Sequence, residues 1–183
     1  MPPEAFTQAR RSHGHQGPLH QLPAGRGEHS AQDAALAAVQ AFATAADDTP
    51  QQSIERLHIA MRGSRGGAVA VASIDDVQGS IRYCAVGNIS GFLITPEQSH
   101  GLLTHHGIVG GKFHRAQQIE MKVPGPALLV MHSDGLQTRW NLDRYLGLRT
   151  RHQAIIAAVL YRDFSRQSDD ITVLVVALRG ASA

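Results

Sequence analysis

Two acidic turns carry the side chains whose chemistry stands out in this sequence. "HSDGL" places Asp134 after the apolar run "ALLVM", and "SDDIT" places Asp169 and Asp170 ahead of the apolar run "TVLVV". A carboxylate at the end of a strand, beside a glycine such as Gly135 that allows close backbone approach, suits a hard divalent cation. Each turn taken alone is more typical of a structural role, because Asp commonly opens turns and caps helices.

Other polar residues lie close to these turns or form separate groups. His132 directly precedes the first turn and is a candidate hydrogen-bond donor behind a metal ligand. His105 and His106, in "THHG", favour a loop role, and Asn88, in "VGN", is expected to bond its own backbone in a tight strand connection. The irregular spacing of four histidines near the N-terminus does not predict a closed Zn²⁺ site; they are His13, His15, His20 and His29.

The helices that flank these residues follow from hydrophobic periodicity. Residues 1–30 are rich in Gly, Pro, His and Arg and predict an irregular or disordered head. From Ala31, "AQDAALAAVQAFATAA" predicts a helix with Ala35, Val39 and Phe42 on one face. "QQSIERLHIAMRG" predicts a second helix and "RHQAIIAAVLYRDF" a third. The apolar positions of the second helix are Ile54, Leu57 and Met61, and Gly63 is expected to end it.

The strands follow from alternating and continuous apolar runs. "GAVAVASID" and "SIRYCAVGN", separated by "DVQG", predict an antiparallel hairpin. "GFLIT", "QQIEMKV", "ALLVMHS" and "DITVLVVAL" predict further strands. Strands interleaved with three helices predict an α+β domain in which antiparallel sheets are covered by helices. We expect this domain to span residues 31–180.

Five blocks, taken in order, resemble the SpoIIE-like and RsbX-like branch of the PPM-type (type-2C-like) serine/threonine phosphatases. They are "RGSRGGAVAVASID" from Arg62, "VGNISGFLI" from Val86, "LLTHHGIVGG" from Leu102, "LLVMHSDGL" from Leu128 and "RDFSRQSDDITVLVV" from Arg162. The resemblance covers about Ala31 to Leu178.

The resemblance implies a PPM-type fold and metal-assisted hydrolysis of a phosphoserine or phosphothreonine. Asp134 and Asp169 match the family's metal-binding aspartates, and Asp170 is a weaker candidate. Two Mn²⁺ or Mg²⁺ ions would activate a bridging water for in-line attack on phosphorus. The implied partners are phosphorylated STAS-domain (anti-anti-sigma) or stressosome proteins of a bacterial stress or sigma-factor switch.

One family element has no counterpart here. Relatives carry a D-G-x-G-H-G turn, preceded by strands, just ahead of the first helix, and its aspartate bridges both metals. This chain has "LPAGRGEHSAQDAAL" from Leu22, in which Glu28 is the only carboxylate of the turn and Asp33 falls in the predicted helix. A truncated start or a shifted reading frame upstream of Ala31 is the hypothesis that would account for this boundary. The alternative function is a catalytically degenerate module that binds a partner without turnover.

Composition limits the other classes of function. The chain has 183 residues, 43% of them hydrophobic, enough for one domain with a core. Its single cysteine, Cys84, allows neither an intrachain disulfide nor a thiolate metal cluster, and no apolar run reaches the length of a membrane helix. We therefore expect a cytoplasmic protein with no membrane partner. The formal net charge is +2 and the pI about 9.0, but the basic head lacks the interleaved aromatic residues typical of nucleic-acid binding.

Overall fold

The computed structural model describes residues 5–11, 31–44, 47–166 and 170–180. Within them the helices are α1 (Ala31–Ala43), α2 (Pro50–Ala60) and α3 (Gln153–Phe164), with 3₁₀ turns at Leu142–Arg144 and Leu148–Thr150. The strands are β1 (Ala5–Arg11), β2 (Ala68–Asp75), β3 (Ser80–Val86), β4 (Ile89–Ile94), β5 (Ser99–Leu102), β6 (Ile119–Lys122), β7 (Ala127–Ser133) and β8 (Val173–Leu178).

The strands form two four-stranded sheets. The first has the order β1-β2-β3-β6 and the second the order β5-β4-β7-β8. Neighbouring strands are antiparallel except β1 and β2, which pair in parallel. The chain passes from the first sheet to the second between the end of β3 at Val86 and the start of β4 at Ile89. The predicted α+β class with antiparallel sheets and covering helices is thus confirmed.

Three apolar layers hold the sheets and helices together. One fills the space between the sheets, one lies under α1 and α2, and one lies under α3. Strand β7 contributes side chains to two of these layers, because Leu129 and Met131 face the first sheet while Leu128 and Val130 face α3. All seven residues of β7 are buried, which explains why the strand reads as a continuous apolar run.

Helix α2 begins and packs as its sequence predicts. The Thr49 hydroxyl accepts a hydrogen bond from the Gln52 N–H, the Gln52 side chain accepts one from the Thr49 N–H, and Pro50 occupies the first turn. Ile54 and Leu57 are fully buried. Burying a side chain of this size contributes roughly 1.5–3 kcal/mol to folding, so these two residues anchor α2 on the first sheet.

Helix α1 turns a different face to the core from the one predicted. Its buried residues include Ala34, Ala38 and Phe42, whereas Ala35 and Val39 are only half-buried. The predicted face was therefore wrong at Ala35 and Val39, where the buried residue is in each case the one immediately before, and correct at Phe42. Phe42 belongs to both faces, and the half-buried Ala41 packs against the same apolar layer, so the helix is turned towards Ala34 and Ala38.

The structure also contains elements that the sequence did not predict. Strand β1 lies inside the segment predicted to be irregular, so that prediction was wrong for residues 5–11; the open edge of β2 supplies backbone partners that local composition does not reveal. Strand β5 pairs with the edge of β4. The remainder of the predicted head lies outside the described residues. No helix in the described part of the chain is long and apolar enough to cross a membrane.

Candidate functional site

The connection between the two sheets forms the first part of the site. Gly87 has a φ of 103°, and a β-carbon there would lie 2.6 Å from the Cβ of Ala68. Its N–H donates to the carbonyl of His105 at 2.9 Å. Only glycine accommodates both the positive φ and this close contact. The next residue, Asn88, is therefore held at the edge of the first sheet, facing the end of β7.

Asn88 bonds the carboxylate of Asp134 across this edge. Its Nδ2 donates to Asp134 Oδ2 at 3.2 Å, joining residues 46 positions apart in the sequence. The expectation that Asn88 bonds its own backbone was therefore wrong. Asp134 is half-buried and Asn88 is exposed. Among the described residues no donor bonds Oδ1, so this oxygen is the one open to a ligand.

The second acidic segment is bonded to the first through Ser133. The Ser133 hydroxyl donates to the carbonyl of Asp170 at 3.3 Å and accepts from the Thr172 N–H at 3.0 Å, and the Ser133 N–H donates to the Thr172 carbonyl at 3.0 Å. Gly135 follows in the same turn, and its carbonyl accepts from the Arg166 N–H at 2.7 Å. The backbone around Asp134 and the backbone around Asp170 are thus hydrogen-bonded to each other.

His132 lies beneath the turn in an aromatic cluster. Trp140 Nε1 donates to His132 Nε2 at 3.1 Å, so Nε2 carries no proton and Nδ1–H donates to the Ser133 carbonyl at 2.8 Å. The His132 ring also stacks on Phe92, with centroids 5.9 Å apart. Burial lowers the pKa of His132, opposed by the Ser133 hydrogen bond, with the Arg166 charge lowering it further. His132 thus contacts the turn through the Ser133 carbonyl and makes no hydrogen bond to Asp134.

The structure describes only some of the remaining predicted site residues. Asp170 is exposed beside Gly135, and Asp33 lies in the first turn of α1 as expected. Asp169 and Glu28 lie outside the described residues, as do the four N-terminal histidines. His105 has the structural loop role expected of it, since its Nε2 accepts from the Gln117 N–H at 3.1 Å. Sequence reasoning missed Asn88 as a partner of Asp134 and Trp140 as a partner of His132.

The donors at this edge have the right chemistry for a hard cation but do not complete a site. Carboxylate oxygens are the ligands that Mg²⁺ and Mn²⁺ prefer, and Asp134 offers an oxygen to which no described residue donates. Within the described ranges no cluster of three or more His, Cys, Asp or Glu side chains is placed to hold a metal ion. A two-metal centre would therefore need ligands from the undescribed part, where Asp169 lies.

Comparison with known proteins places this arrangement in a family. The model of the family described as Stage II sporulation protein E (SpoIIE) matches residues 24–179, most of the chain. The chain belongs to the SpoIIE family. The two acidic turns and the Asn88 connection of this SpoIIE-family domain all fall inside the matched range. Among curated protein sequences no significant match is found.

Solved structures share the fold of this SpoIIE-family domain. One of them is a structure of the bacterial stressosome, described as a modular system that has been adapted to control secondary messenger signalling. It has a TM-score of 0.72 at 24% identity, and the match covers 80% of this chain and 77% of the stressosome chain. RsbX in complex with magnesium gives 0.66 at 24% identity, with 82% and 75% covered. The Mycobacterium tuberculosis serine/threonine phosphatase PstP/Ppp gives 0.65 at 15% identity, with 82% and 83% covered. The fold is that of PPM-type phosphatases.

Proposed function

We propose that this chain is a metal-dependent serine/threonine protein phosphatase of the SpoIIE and RsbX type. The observation that carries the proposal is the half-buried Asp134 at the end of the fully buried strand β7. One of its carboxylate oxygens is bonded to Asn88, and no described residue donates to the other. A carboxylate orientated in this way pays little conformational entropy on binding a cation. Family membership and the fold shared with phosphatases support the same function.

Asp134 and Asp169 are the residues proposed to hold Mn²⁺ or Mg²⁺. When bound, such ions lower the pKa of a coordinated water and stabilise the charge on a phosphoryl group. RsbX has been solved with magnesium and the Bacillus subtilis SpoIIE phosphatase domain after presoaking with manganese. In this chain, Asn88 orientates Asp134, and Ser133 fixes the backbone that leads to Asp169.

The cysteine of the chain is unsuited to covalent catalysis, which favours direct attack by water. Cys84 is fully buried in the middle of β3. Burial, with the Glu55 carboxylate as a smaller cause, raises the pKa of the Cys84 thiol to about 12. A thiol with this pKa is not a nucleophile at neutral pH.

The proposed substrate is a phosphorylated regulatory protein, of the STAS-domain or anti-anti-sigma type, in a cytoplasmic stress or sigma-factor switch. Two structures of the same fold support this choice of partner: the stressosome chain and the RsbU and RsbW domains of Rv1364c from Mycobacterium tuberculosis.

Manganese-dependent hydrolysis of p-nitrophenyl phosphate and of a phosphoserine peptide tests the activity. We expect Asp134→Asn to abolish hydrolysis, because an amide no longer supplies an anionic ligand. Asp76→Asn is the matched control: Asp76 is also half-buried but follows β2 in the hairpin turn, at the opposite end of the sheet from Asn88. Equal activity in the wild type and Asp134→Asn would remove this site from the reaction.

The degenerate binding module is the second candidate, because the sequence has only Glu28 where relatives carry the aspartate that bridges both metals. Calorimetric titration with Mn²⁺ separates the two functions. A phosphatase centre should take up about two ions per chain, with uptake reduced in Asp134→Asn and unchanged in Asp76→Asn. A chain that binds no Mn²⁺ yet retains a phosphoprotein partner is the binding module.

A further inference from the structure

Two loops beside the candidate site carry a concentration of positive charge. The first, residues 61–67, connects α2 to β2, and the second, residues 103–118, connects β5 to β6. Neither contains an acidic residue; from Gln98 to Ile119 the chain has no Asp or Glu. Arg62, Lys112 and Arg115 are exposed, and within the described part of the chain no carboxylate forms an ion pair with them.

The two loops are packed into one surface. Gly67 and Val109 exchange two backbone hydrogen bonds of 2.9 Å each. A β-carbon on Gly110 would lie 2.7 Å from the Cβ of Met61, so the two loops are in close contact at this point. Arg62 follows Met61 and Lys112 lies two residues after Gly110, so both cations lie beside this contact. We call the group Arg62, Lys112, Arg115, Leu103 and Ile108 the basic loop surface.

His58 and Phe113 pack against the backbone of the second loop and hold it on α2. His58 Nδ1 accepts a hydrogen bond from the Gly110 N–H at 3.0 Å, and its ring meets that of Phe113 edge-on with centroids 4.7 Å apart. Phe113 in turn pairs with Gly107 through an isolated bridge. The backbone that carries Lys112 and Arg115 is therefore fixed to α2 rather than free to move away.

The second loop of the basic loop surface is hydrogen-bonded to the strand end that leads to Asn88 in the candidate site. His105, in the second loop, exchanges hydrogen bonds of 2.9 Å with the strand β3 end, receiving one from the Gly87 N–H and donating one to the Ala85 carbonyl. Gly87 precedes Asn88, which bonds Asp134. A partner residue positioned at Asp134 would therefore have its neighbouring residues beside this loop.

We infer that the basic loop surface docks an acidic segment of the phosphoprotein partner, next to its phosphorylated residue. The inference rests on the proposed function and adds to it how the substrate is chosen. Three cations that have no carboxylate partner among the described residues complement an acidic sequence, and such complementarity steers association and sets specificity. Leu103 and Ile108, which are 55% and 40% exposed, add apolar contacts to the charges.

A protein partner fits these observations better than a nucleic acid. Proteins that bind single strands present aromatic side chains on which bases stack, and Phe113, the aromatic residue of these loops, is half-buried against His58. The exposed apolar residues of the surface are aliphatic instead.

Binding of labelled peptides tests the inference without requiring turnover. Fluorescence anisotropy is measured in the presence of a chelator with a phosphoserine peptide flanked by Asp, Glu and Leu, and with a twin in which Asn and Gln replace the acids. The full-length wild type should bind the acidic probe more tightly, and the preference should shrink as ionic strength rises. Equal affinity for the two probes would overturn the inference.

A triple substitution locates the binding. Arg62→Gln, Lys112→Gln and Arg115→Gln together should weaken binding of the acidic probe about tenfold, from the usual strength of exposed charge pairs. The matched control removes three exposed charges at the opposite end of the sheets, Lys122→Gln, Arg151→Gln and Arg179→Gln, and should leave binding unchanged. Equal losses in the two triple variants, with equal thermal melts, would contradict the surface assigned here.

Two further measurements separate the inference from its alternatives. If a single-stranded oligonucleotide of the same charge binds more tightly than the acidic peptide, and loses affinity in the same triple variant, the surface is a nucleic-acid interface and the inference is wrong. With Mn²⁺ present, the triple variant should raise KM for the acidic phosphopeptide and leave hydrolysis of p-nitrophenyl phosphate unaltered. A chain that hydrolyses neither substrate but still prefers the acidic probe refutes the phosphatase activity and retains the docking surface.

Discussion

The Cα of Gly135 faces the backbone of Asp170 so closely that a β-carbon there would overlap the Asp170 carbonyl and lie 2.8 Å from Ile171 Cγ1. The φ of Gly135 is not positive, so the requirement for glycine is one of space alone. This contact brings the two acidic turns together and explains the glycine that follows Asp134 in the sequence.

Gly135→Ala should therefore separate the two turns. We expect a loss of about 1–3 kcal/mol in the free energy of unfolding, the usual cost of overpacking, together with weaker Mn²⁺ binding. Gly125→Ala is the matched control, because a β-carbon at Gly125 meets nothing within 4 Å. Urea unfolding and calorimetry measure both effects. If the two variants are equally stable, the close approach of Asp170 to Gly135 is not part of the folded protein.

Asn88→Ala tests whether the amide orientates Asp134. Removing a side chain that holds a metal ligand typically lowers metal affinity by at least about tenfold, whereas the exposed position of Asn88 predicts little change in stability. Asn141→Ala is the control, since Asn141 is also exposed but caps a 3₁₀ turn by accepting from the Asp143 N–H. Mn²⁺ affinity that is the same in both variants would show that the hydrogen bond to Asp134 does not matter for binding.

The pairing of Asn88 with Asp134 also shows where sequence reasoning reaches its limit. Strand β7 and the carboxylate at its end were predictable, because a continuous apolar run followed by Ser-Asp-Gly is a local signal. The hydrogen bond joins residues 46 positions apart, and it exists only because the chain changes sheets at Gly87. No local pattern encodes such a contact, so the partner of Asp134 became visible only in the fold.

The errors in the predicted elements have equally specific causes. Strand β5 has the sequence "SHGL" and an exposed, polar pattern, so its strand character comes from pairing with β4 rather than from composition. In α1 the predicted face and the buried face share Phe42 and differ in having Ala35 and Val39 or Ala34 and Ala38; all four are apolar, and periodicity did not select the buried pair. Helix α2, with Ile54 and Leu57 against polar neighbours, gave a clear signal, and its buried face was predicted correctly.

His58 makes the stability of the loop packing depend on pH. Burial, followed by the Arg62 charge, lowers the pKa of His58 below its usual value of 6.5. The unfolded chain therefore binds a proton at a higher pH than the folded one, so the stability His58 provides is complete above pH 6.5 and is lost as the pH falls towards the lower folded-state pKa. Protonation of Nδ1 also removes the acceptor for the Gly110 N–H.

The comparison of wild type with His58→Asn measures this effect. The Asn oxygen can replace Nδ1 as an acceptor but does not titrate, so the variant should lose less stability than the wild type between neutral and mildly acidic pH. Differences in thermal melting temperature between the two proteins isolate His58 from the other ten histidines. A difference that is constant with pH would contradict the lowered pKa.

Cys84 should be inert in the folded protein. It is fully buried in β3, and burial raises the pKa of its thiol to about 12. We expect no reaction with Ellman's reagent under native conditions and one thiol per chain after unfolding in guanidinium. Because Cys84 is the only cysteine, the count is unambiguous. Rapid labelling of the native protein would mean that the first sheet opens readily.

Trp140 should stabilise the fold beneath the acidic turn through its hydrogen bond to His132. Trp140→Phe leaves His132 Nε2 buried without a donor and removes part of the packing on Phe92. We expect a loss of roughly 2–4 kcal/mol in the free energy of unfolding. Tyr145→Phe, which removes an exposed hydroxyl bonded to Asp163, should cost much less. Unfolding must be followed by circular dichroism, since Trp140 is the only tryptophan, and equal losses in the two variants would show that His132 does not depend on this donor.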